Sequence, residues 1–416
     1  MGIDDGRMLV LDYPSMRIGG IETYFSNLIV HAVNNGIRVV WLTTEADEEA
    51  SDYAITKDSR VEKAYVKKTP FGPLYPRIDF KQDDKVVVLT CEPLQYILSD
   101  KYKRAKGVSI NHFFLLPNTT GNMYYPERFA KLRPFRILCK KKFGELAFIL
   151  NQGECIFAFS QKHLDSYEDN YGITVSNKAA RTLPPSAPPS DVDAGELSER
   201  ARSREDGFVI ISCARFDFPH KGYLVGLVRE FAQLKKEFPS IKLRIVGYGE
   251  GEDRLNAEIK KLDKDAQESI ALLGKLSPSE LKQAYRKAHL NVGVAGALRI
   301  GAGEGLPSII MRQHSYECEC YGLFEEGNED TIRDCPGESP LELISDIVRA
   351  SDSEYMEFAR RSFDLANKEG KPDCDFFFRQ SETLARRVSS LDGRIKARLF
   401  YMYTYIKRKL FKMYGY

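Results

Sequence analysis

The chain has 416 residues, of which 43% are hydrophobic, and this excludes both a disordered tail and a small disulfide-stabilised domain. Its 61 Lys and Arg residues nearly balance its 59 Asp and Glu residues, so the net charge of +2 favours neither an acidic nor a basic partner. Because domains usually hold about 100 to 200 residues, this length predicts two or three folding units.

The first half of the chain alternates short apolar segments with helical patterns. We predict strands at 8–12, 39–43, 86–90, 108–111 and 156–160. Between the first two, residues 21–32 keep the helical spacing of apolar side chains, and Asn34-Asn35-Gly36 ends the helix. This alternation is typical of parallel strands buried on both faces. Residues 1–185 therefore form a first Rossmann-like domain.

A proline-rich segment separates the two halves of the chain. Pro184, Pro185, Pro188 and Pro189 stiffen the backbone, so we interpret residues 186–206 as a linker without regular structure. Strand patterns return at 208–213, 242–246, 270–273, 290–294 and 308–311. These strands predict an α/β fold with a second Rossmann-like domain over residues 207–352, facing the first across a cleft. Helices at 353–385 then cross back toward the first domain.

Two loops follow the first strands of the predicted domains. Gly19 and Gly20 let backbone N–H groups approach an anion at a helix N-terminus, although a simple tight turn explains them equally well. Arg215 and Lys221 lie six residues apart in the corresponding loop of the second domain. This pair suits a diphosphate, because Arg contacts two oxygens and Lys supplies a point charge. The alternative is a pair of solvated surface charges.

Four segments in this order resemble the family 4 glycosyltransferases of the GT-B fold: residues 19–22, 214–222, 243–251 and 273–277. The resemblance implies transfer of a sugar from a nucleotide-sugar, which is the donor substrate, so no separate cofactor is expected. It implies that Arg215 and Lys221 neutralise the departing diphosphate. The backbone of Lys275 and Leu276 would hold the nucleobase.

The resemblance also implies roles for the first domain, which would bind the acceptor. Gly19 and Gly20 would approach the phosphates or the transferred sugar. His112, predicted at the end of a strand, would contact the sugar. Glu22, Glu92 and His112 are candidates for the base that accepts the acceptor hydroxyl proton, although each residue also suits a cap or a satisfied polar group.

The sequence departs from the family around Gly305-Leu306-Pro307. Family members carry two glutamates eight residues apart at such a turn, whereas Ala302 and Ile310, or Ile300 in a shorter pattern, occupy these positions here. Glu304 is a partial substitute. Gly301 and Gly303 would let a loop or helix end lie against phosphate. Either a divergent enzyme holds the ribose differently, or the donor site has degraded.

The reaction implied by the resemblance does not require a metal ion. A departing nucleoside diphosphate develops negative charge, and fixed cations with helix-terminal amides stabilise that charge most in the transition state. We therefore expect no metal site. By analogy with the family we expect retention of configuration at the transferred sugar.

Two basic segments suggest a membrane surface as a partner. Residues 386–416 contain nine basic residues and one acid on a helical apolar stripe, which leaves a net charge of −6 for residues 1–385. Residues 128–142 contain seven basic residues and no acid. Such segments suit an anionic lipid interface. Packing against the first domain is the alternative for the tail, and nucleic acid is not expected because no nucleic-acid module accompanies the basic residues.

The N-terminus is charged and lacks a signal-peptide pattern, and no apolar segment is long enough to span a bilayer. We therefore expect a cytoplasmic protein attached to the inner face of the cell membrane. It would extend a lipid-linked glycan during cell-surface polysaccharide biosynthesis. A non-catalytic GT-B scaffold that binds a glycan or partner enzyme, and a nucleotide-sugar epimerase, are the alternatives.

Overall fold

A computed structural model of the protein describes residues 6–17, 19–70, 72–91, 108–116, 151, 155–183, 191–330, 333, 335–368 and 373–383. The chain forms two compact units, Met1–Pro185 with Pro372–Tyr416 and Ser186–Lys371. The basic segments 128–142 and 386–416, together with Glu92, lie outside the described residues. In the described part of the chain, no helix is long and apolar enough to span a membrane.

The first unit is built on a parallel sheet with the strand order β3-β2-β1-β6-β7-β8. Its elements, in chain order, are β1 (Arg7–Asp12), α1 (Gly20–Asn34), β2 (Arg38–Thr43), α2 (Glu45–Glu49), a 3₁₀ turn (Ala54–Lys57), β3 (Val61–Tyr65), β4 (Lys67–Thr69), β5 (Gly72–Leu74), β6 (Lys85–Thr90), β7 (Ser109–Leu116), β8 (Ile156–Ala158), α3 (Gln161–Tyr171) and a second 3₁₀ turn (Lys178–Arg181).

Both faces of this sheet are buried, which explains the unbroken apolar runs in its strands. Leu9 and Leu11 of β1 face the core that includes α1, whereas Met8 and Val10 face a second cluster on the opposite side. Trp41 of β2 is fully buried, and its indole N–H donates to the Tyr13 carbonyl at 2.9 Å. The parallel α/β architecture predicted for this half is therefore confirmed.

The second unit repeats the design with the order β11-β10-β9-β12-β13-β14, and among its described strands only β14 is antiparallel to its neighbour. The elements are α4 (Ala194–Ser203), a 3₁₀ turn (Arg204–Asp206), β9 (Val209–Cys213), α5 (Tyr223–Glu237), β10 (Lys242–Val246), α6 (Glu252–Ile259), α7 (Lys264–Glu268), β11 (Ile270–Gly274), α8 (Pro278–Arg286), β12 (Leu290–Gly293), α9 (Ala295–Gly303), β13 (Ser308–Met311), β14 (Cys320–Leu323), α10 (Leu341–Arg349) and α11 (Asp352–Lys368).

The chain then returns to the first unit with α12 (Cys374–Thr383). Cys374, Phe377 and Phe378 of this helix are buried in the same core as α1. The helices predicted at 353–385 therefore divide between the two units, because α11 packs in the second unit and α12 in the first.

The interpretation of residues 186–206 as a linker without regular structure is wrong for α4. Asp193 accepts a hydrogen bond from the Glu196 N–H, and the Glu196 carboxylate accepts one from the Asp193 N–H. This capping box fixes the first turn, and Ala201 is buried in the core of the second unit. The sequence pattern did not indicate this helix, because the helix buries so few apolar side chains.

Candidate functional site

The strand order of the second sheet reverses between β9 and β12, which pair with each other. Ligands of open α/β sheets bind at such a reversal, outside the carboxyl ends of the strands. We call the edge where β9 to β13 end the carboxyl edge, and the opposite edge the amino edge. The carboxyl edge is the candidate site of the second unit.

The loop that connects β9 to α5 is held in place by the loop that follows β10. The Phe216 N–H donates to the Tyr248 carbonyl at 2.9 Å, and the Gly251 N–H donates to the Phe216 carbonyl at 2.9 Å. Gly247 has a φ of +154°, and a Cβ atom there would lie 1.9 Å from the Ala214 carbonyl oxygen. Glycine is required at this close approach. The two loops therefore form one fixed surface at the carboxyl edge.

Arg215 and Lys221 are the cations of this surface. Arg215 is exposed and Lys221 is half-buried. Among the residues that the structure describes, neither side chain forms an ion pair. Burial and the charge of Arg215 lower the pKa of the Lys221 ammonium to about 7, while the nearby Asp217 opposes this shift. Two cations that repel each other at a strand end favour a bound anion.

Lys275 and Leu276 follow β11 at the same edge. The Lys275 ammonium lies 5.5 Å from the centre of the Tyr248 ring, and Leu276 packs against a small apolar cluster. Tyr248, whose ring lies beside the predicted nucleobase position, was not predicted as a site residue. Its one signal in the sequence is an aromatic side chain inside a glycine-rich run.

The N-terminus of α9 also lies at the carboxyl edge, because α9 begins directly after β12. Val294 caps this helix without a side-chain hydrogen bond. Ala295, the first helical residue, has a φ of +50°, which is uncommon for a residue with a side chain. The first amides of a helix lack intrahelical partners and carry the positive end of its dipole. This end of α9 therefore suits an anion.

Gly301, Gly303 and Glu304 lie at the amino edge, at the other end of α9. A Cβ atom on Gly301 would lie 2.4 Å from Asn291 Nδ2, so packing explains this glycine. The Glu304 carboxylate is 6% exposed and lies 3.1 Å from Arg286 Nε and 3.7 Å from Lys282 Nζ. The prediction that these three residues serve the donor is therefore not supported, because α9 carries them away from the carboxyl edge.

In the first unit the strand order reverses between β1 and β6, and the glycine loop follows β1 as predicted. A Cβ atom on Gly19 would lie 2.2 Å from Glu22 Oε2, so the absent side chain leaves room for this carboxylate beside the N-terminus of α1. Gly20 is exposed, and no atom of the described residues lies within 4 Å of the position that its Cβ would take. The loop is open to a ligand at Gly20, and the donor-binding role of both glycines stays a prediction.

His112 is not at the end of its strand. The predicted strand stopped at residue 111, but β7 continues to Leu116 because Phe113, Phe114 and Leu115 extend the apolar run. His112 is 4% exposed and pairs with Val88 in the middle of the sheet. The strand-end position predicted for His112 is therefore wrong, and the sugar contact that the resemblance implies for it stays a prediction.

One cluster in the described residues has the composition of a metal site. The ligand atoms of His31, Asp373 and Asp375 lie within 4.8 Å of one another. However, Asp375 is paired with Arg7, Asp373 is 2.7 Å from Arg379, and His31 Nδ1 contacts the Cys374 thiol at 2.9 Å. These contacts account for the cluster without an ion.

Comparison with known proteins supports the glycosyltransferase resemblance. Residues 193–310 match the sequence family "Glycosyl transferases group 1". This segment contains Arg215, Lys221, Lys275 and the whole of α9. No curated protein sequence matches the chain significantly.

Several solved structures share the fold along most of the chain. WaaG, a glycosyltransferase involved in lipopolysaccharide biosynthesis, is 14% identical with a TM-score of 0.57, and the match covers 91% of this chain and 100% of WaaG. The trehalose-6-phosphate phosphatase N-terminal domain of Candida albicans is 12% identical with a TM-score of 0.58, covering 91% and 97% of the two chains.

A further structure, described as trehalose-6-phosphate from E. coli bound with UDP-2-fluoro glucose, is 11% identical with a TM-score of 0.55 and covers 92% and 100% of the two chains. Identities this low establish the fold alone. The chain therefore has the GT-B fold with two Rossmann-like units, and its residues 193–310 match the model of the glycosyl transferases group 1 family.

Proposed function

We propose that the protein transfers a sugar from a nucleotide-sugar donor to a lipid-linked glycan acceptor. The reaction needs no metal ion and retains the configuration of the transferred sugar. The protein acts at the cytoplasmic face of a membrane, during assembly of a cell-surface polysaccharide. The single observation that carries the proposal is the pair Arg215 and Lys221 at the carboxyl edge, without an ion-pair partner among the described residues.

This pair fits the charge that develops during the transfer. When the bond between the sugar and the diphosphate breaks, negative charge grows on the departing phosphate. Cations fixed before the reaction stabilise that charge without reorganising. The group 1 match includes both residues, and a protein of the same fold carries UDP-2-fluoro glucose. Both facts support a nucleotide-sugar as the donor.

Different observations support the proposed acceptor and the proposed location of the protein. WaaG acts in lipopolysaccharide biosynthesis, which favours a lipid-linked glycan for this chain as well. The basic residues of 128–142 and 386–416 suit an anionic lipid surface. A protein held at that surface meets a lipid-linked acceptor without leaving the membrane.

Calorimetric titration with a panel of nucleoside diphosphates tests the donor site. We expect Arg215→Ala to weaken binding by tenfold or more, because a charged hydrogen-bond donor is worth about 1.5 to 3 kcal/mol. Arg360→Ala is the matched control, since Arg360 is an exposed residue of α11 paired with Glu357. If Arg215→Ala and Arg360→Ala bind alike, the proposal is wrong.

A non-catalytic scaffold is the second candidate, and the position of Glu304 favours it. The carboxylate pair of the family is absent, and the one acid near its place is engaged with Arg286 at the amino edge. An enzyme releases nucleoside diphosphate from a nucleotide-sugar when membranes carrying acceptor are present, and Lys221→Ala stops the release. A scaffold binds the nucleotide and releases nothing.

A further inference from the structure

The loop between β13 and β14 packs directly onto the start of α5. A Cβ atom on Gly222 would lie 2.5 Å from the Ser315 carbonyl oxygen, and one on Gly226 would lie 2.5 Å from the Cys318 nitrogen. The Arg312 N–H donates to the Glu319 carbonyl at 2.9 Å and closes the loop at its base. The loop is therefore fixed beside the segment that carries Arg215 and Lys221.

His314 lies within this loop in an unfavourable backbone conformation. Its φ is +58°, in the left-handed region that residues with a side chain rarely adopt. Such conformations persist where the surrounding structure enforces them, and they are concentrated at ligand-binding positions. Glycine would fit here without strain, yet the chain places an exposed imidazole at this position.

The His314 ring is oriented by His220, the residue directly before Lys221. The two rings are stacked with centres 4.6 Å apart and an interplanar angle of 13°. The backbone N–H of His314 donates to the His220 carbonyl at 3.1 Å. The ring Nε2 of His220 donates to the Gln313 amide oxygen at 2.9 Å. His314 is therefore held, through both its backbone and its ring, to the loop between β9 and α5 that carries Arg215 and Lys221, which we call the cation loop.

We propose that His314 is a further donor-binding residue, whose imidazole N–H donates a hydrogen bond to the diphosphate that Arg215 and Lys221 neutralise. This inference rests on the proposed function, because it assigns a third contact to the same diphosphate. The loop after β13 reaches the carboxyl edge from the far side of the β9–β12 reversal. It thereby supplies a contact from a part of the sheet that the cation loop does not occupy.

Binding of inorganic pyrophosphate to the full chain tests the proposal, because this probe carries only the phosphate contacts. His314→Gly removes the imidazole and relieves the backbone strain, so a folding defect is not expected to mask the result. We expect about tenfold weaker binding, the value of one lost hydrogen bond to a charged group. His314→Asn should recover part of the affinity, because Asn tolerates the left-handed region and keeps a donor.

Asp83→Gly is the matched control, since Asp83 has a φ of +67° in the first unit, and it should bind pyrophosphate as wild type does. The proposal is overturned if His314→Gly binds as wild type does, or if His314→Asn binds no better than His314→Gly. Arg215→Ala, measured in parallel, separates the two ideas. If pyrophosphate affinity falls for Arg215→Ala but not for His314→Gly, only the role of His314 is overturned. If it falls for neither variant, the proposed function is overturned as well.

Discussion

Lys221 lies near Arg215, and burial of its ammonium group, together with the nearby Arg215 charge, lowers the pKa of Lys221 to about 7. The ordinary pKa of lysine is near 10.5, so the unliganded loop keeps this ammonium only partly protonated at neutral pH. A diphosphate bound there, as we propose, would supply a compensating negative charge and favour the protonated form. We therefore expect anion binding to be coupled to proton uptake at this residue.

Nucleoside diphosphate binding at pH 8 should take up nearly one proton, because Lys221 is mostly neutral before binding and charged afterwards. Affinity should fall as pH rises above 7. Calorimetry in two buffers with different heats of ionisation measures this uptake directly. The Lys221→Arg variant should bind nucleoside diphosphate with little proton uptake, since arginine stays protonated throughout. Equal proton uptake by wild type and Lys221→Arg would contradict the coupling.

Acid should destabilise the second unit through His289. Burial and three nearby arginines lower its pKa to about 4, and its Nδ1 accepts a hydrogen bond from the Val209 N–H at 2.9 Å. The unfolded state binds a proton near pH 6.5, so stability is lost as pH falls from 6.5 toward 4. Protonation of His289 is therefore expected to lower the free energy of unfolding by about 3 kcal/mol over this range.

His289→Asn keeps an acceptor for the Val209 N–H but does not titrate. Urea unfolding at pH 7.5 and pH 4.5 should therefore show a smaller acid-induced loss for this variant than for wild type. His220 has a pKa near 4 as well, so part of the acid sensitivity of this unit remains in the variant. The same pH dependence in both proteins would rule out His289 as a source.

Substitution by alanine of the two glycines in the last turn of α9 should have opposite effects on the free energy of unfolding. Gly301→Ala places a methyl group 2.4 Å from Asn291 Nδ2, whereas Gly303→Ala meets no atom within 4 Å. We expect a loss of about 1 to 3 kcal/mol for Gly301→Ala from overpacking. Gly303→Ala should gain up to about 1 kcal/mol, because alanine favours the helix. Denaturant unfolding measures both, and Gly303→Ala should keep full donor affinity if this glycine does not touch phosphate.

The sequence was enough to place the cation loop, but not the edge of the sheet on which each motif lies. Arg215 and Lys221 follow an apolar strand and precede an amphipathic helix, and that local order fixes them at a carboxyl end. The turn at Gly305 also adjoins a strand, but it precedes β13 rather than following it. Only the path of α9 between two parallel strands shows that Glu304 faces the amino edge.

The same limit explains the other differences. Strand β13 was predicted with its observed bounds, since four buried apolar or small residues carry a clear signal. Strand β14 was missed because it is a short antiparallel edge strand of four residues with one cysteine, one glycine and no alternating pattern to mark it. Helix α4 was missed because its stability comes from a capping box and from Arg200, which donates to the Glu304 and Gly305 carbonyls. Contacts between distant residues leave no periodic trace in a sequence.

Glu304→Gln should separate a structural role from a donor-binding role. The carboxylate is nearly buried and pairs with Arg286, so the neutral amide leaves a charge-assisted pair incomplete. We expect a loss of about 1 to 3 kcal/mol in the free energy of unfolding, with unchanged affinity for nucleoside diphosphates. Arg286→Gln should cost a similar amount, and the double variant should cost less than the sum of the two. A marked loss of donor affinity with intact stability would instead return Glu304 to the donor site.

Removal of residues 386–416 should release the protein from anionic vesicles. This segment carries a net charge of +8, and each basic residue near an anionic surface contributes about 1 kcal/mol at physiological salt. Sedimentation with vesicles containing anionic lipid should show the full chain in the pellet and the truncated chain in the supernatant. Raised salt should weaken the binding of the full chain because the attraction is screened, and vesicles of neutral lipid alone should retain much less of it.

Nucleoside diphosphate affinity should survive the truncation, because Arg215 and Lys221 belong to the second unit. Equal pelleting of both chains would show that the tail is not the membrane anchor and would shift attention to residues 128–142.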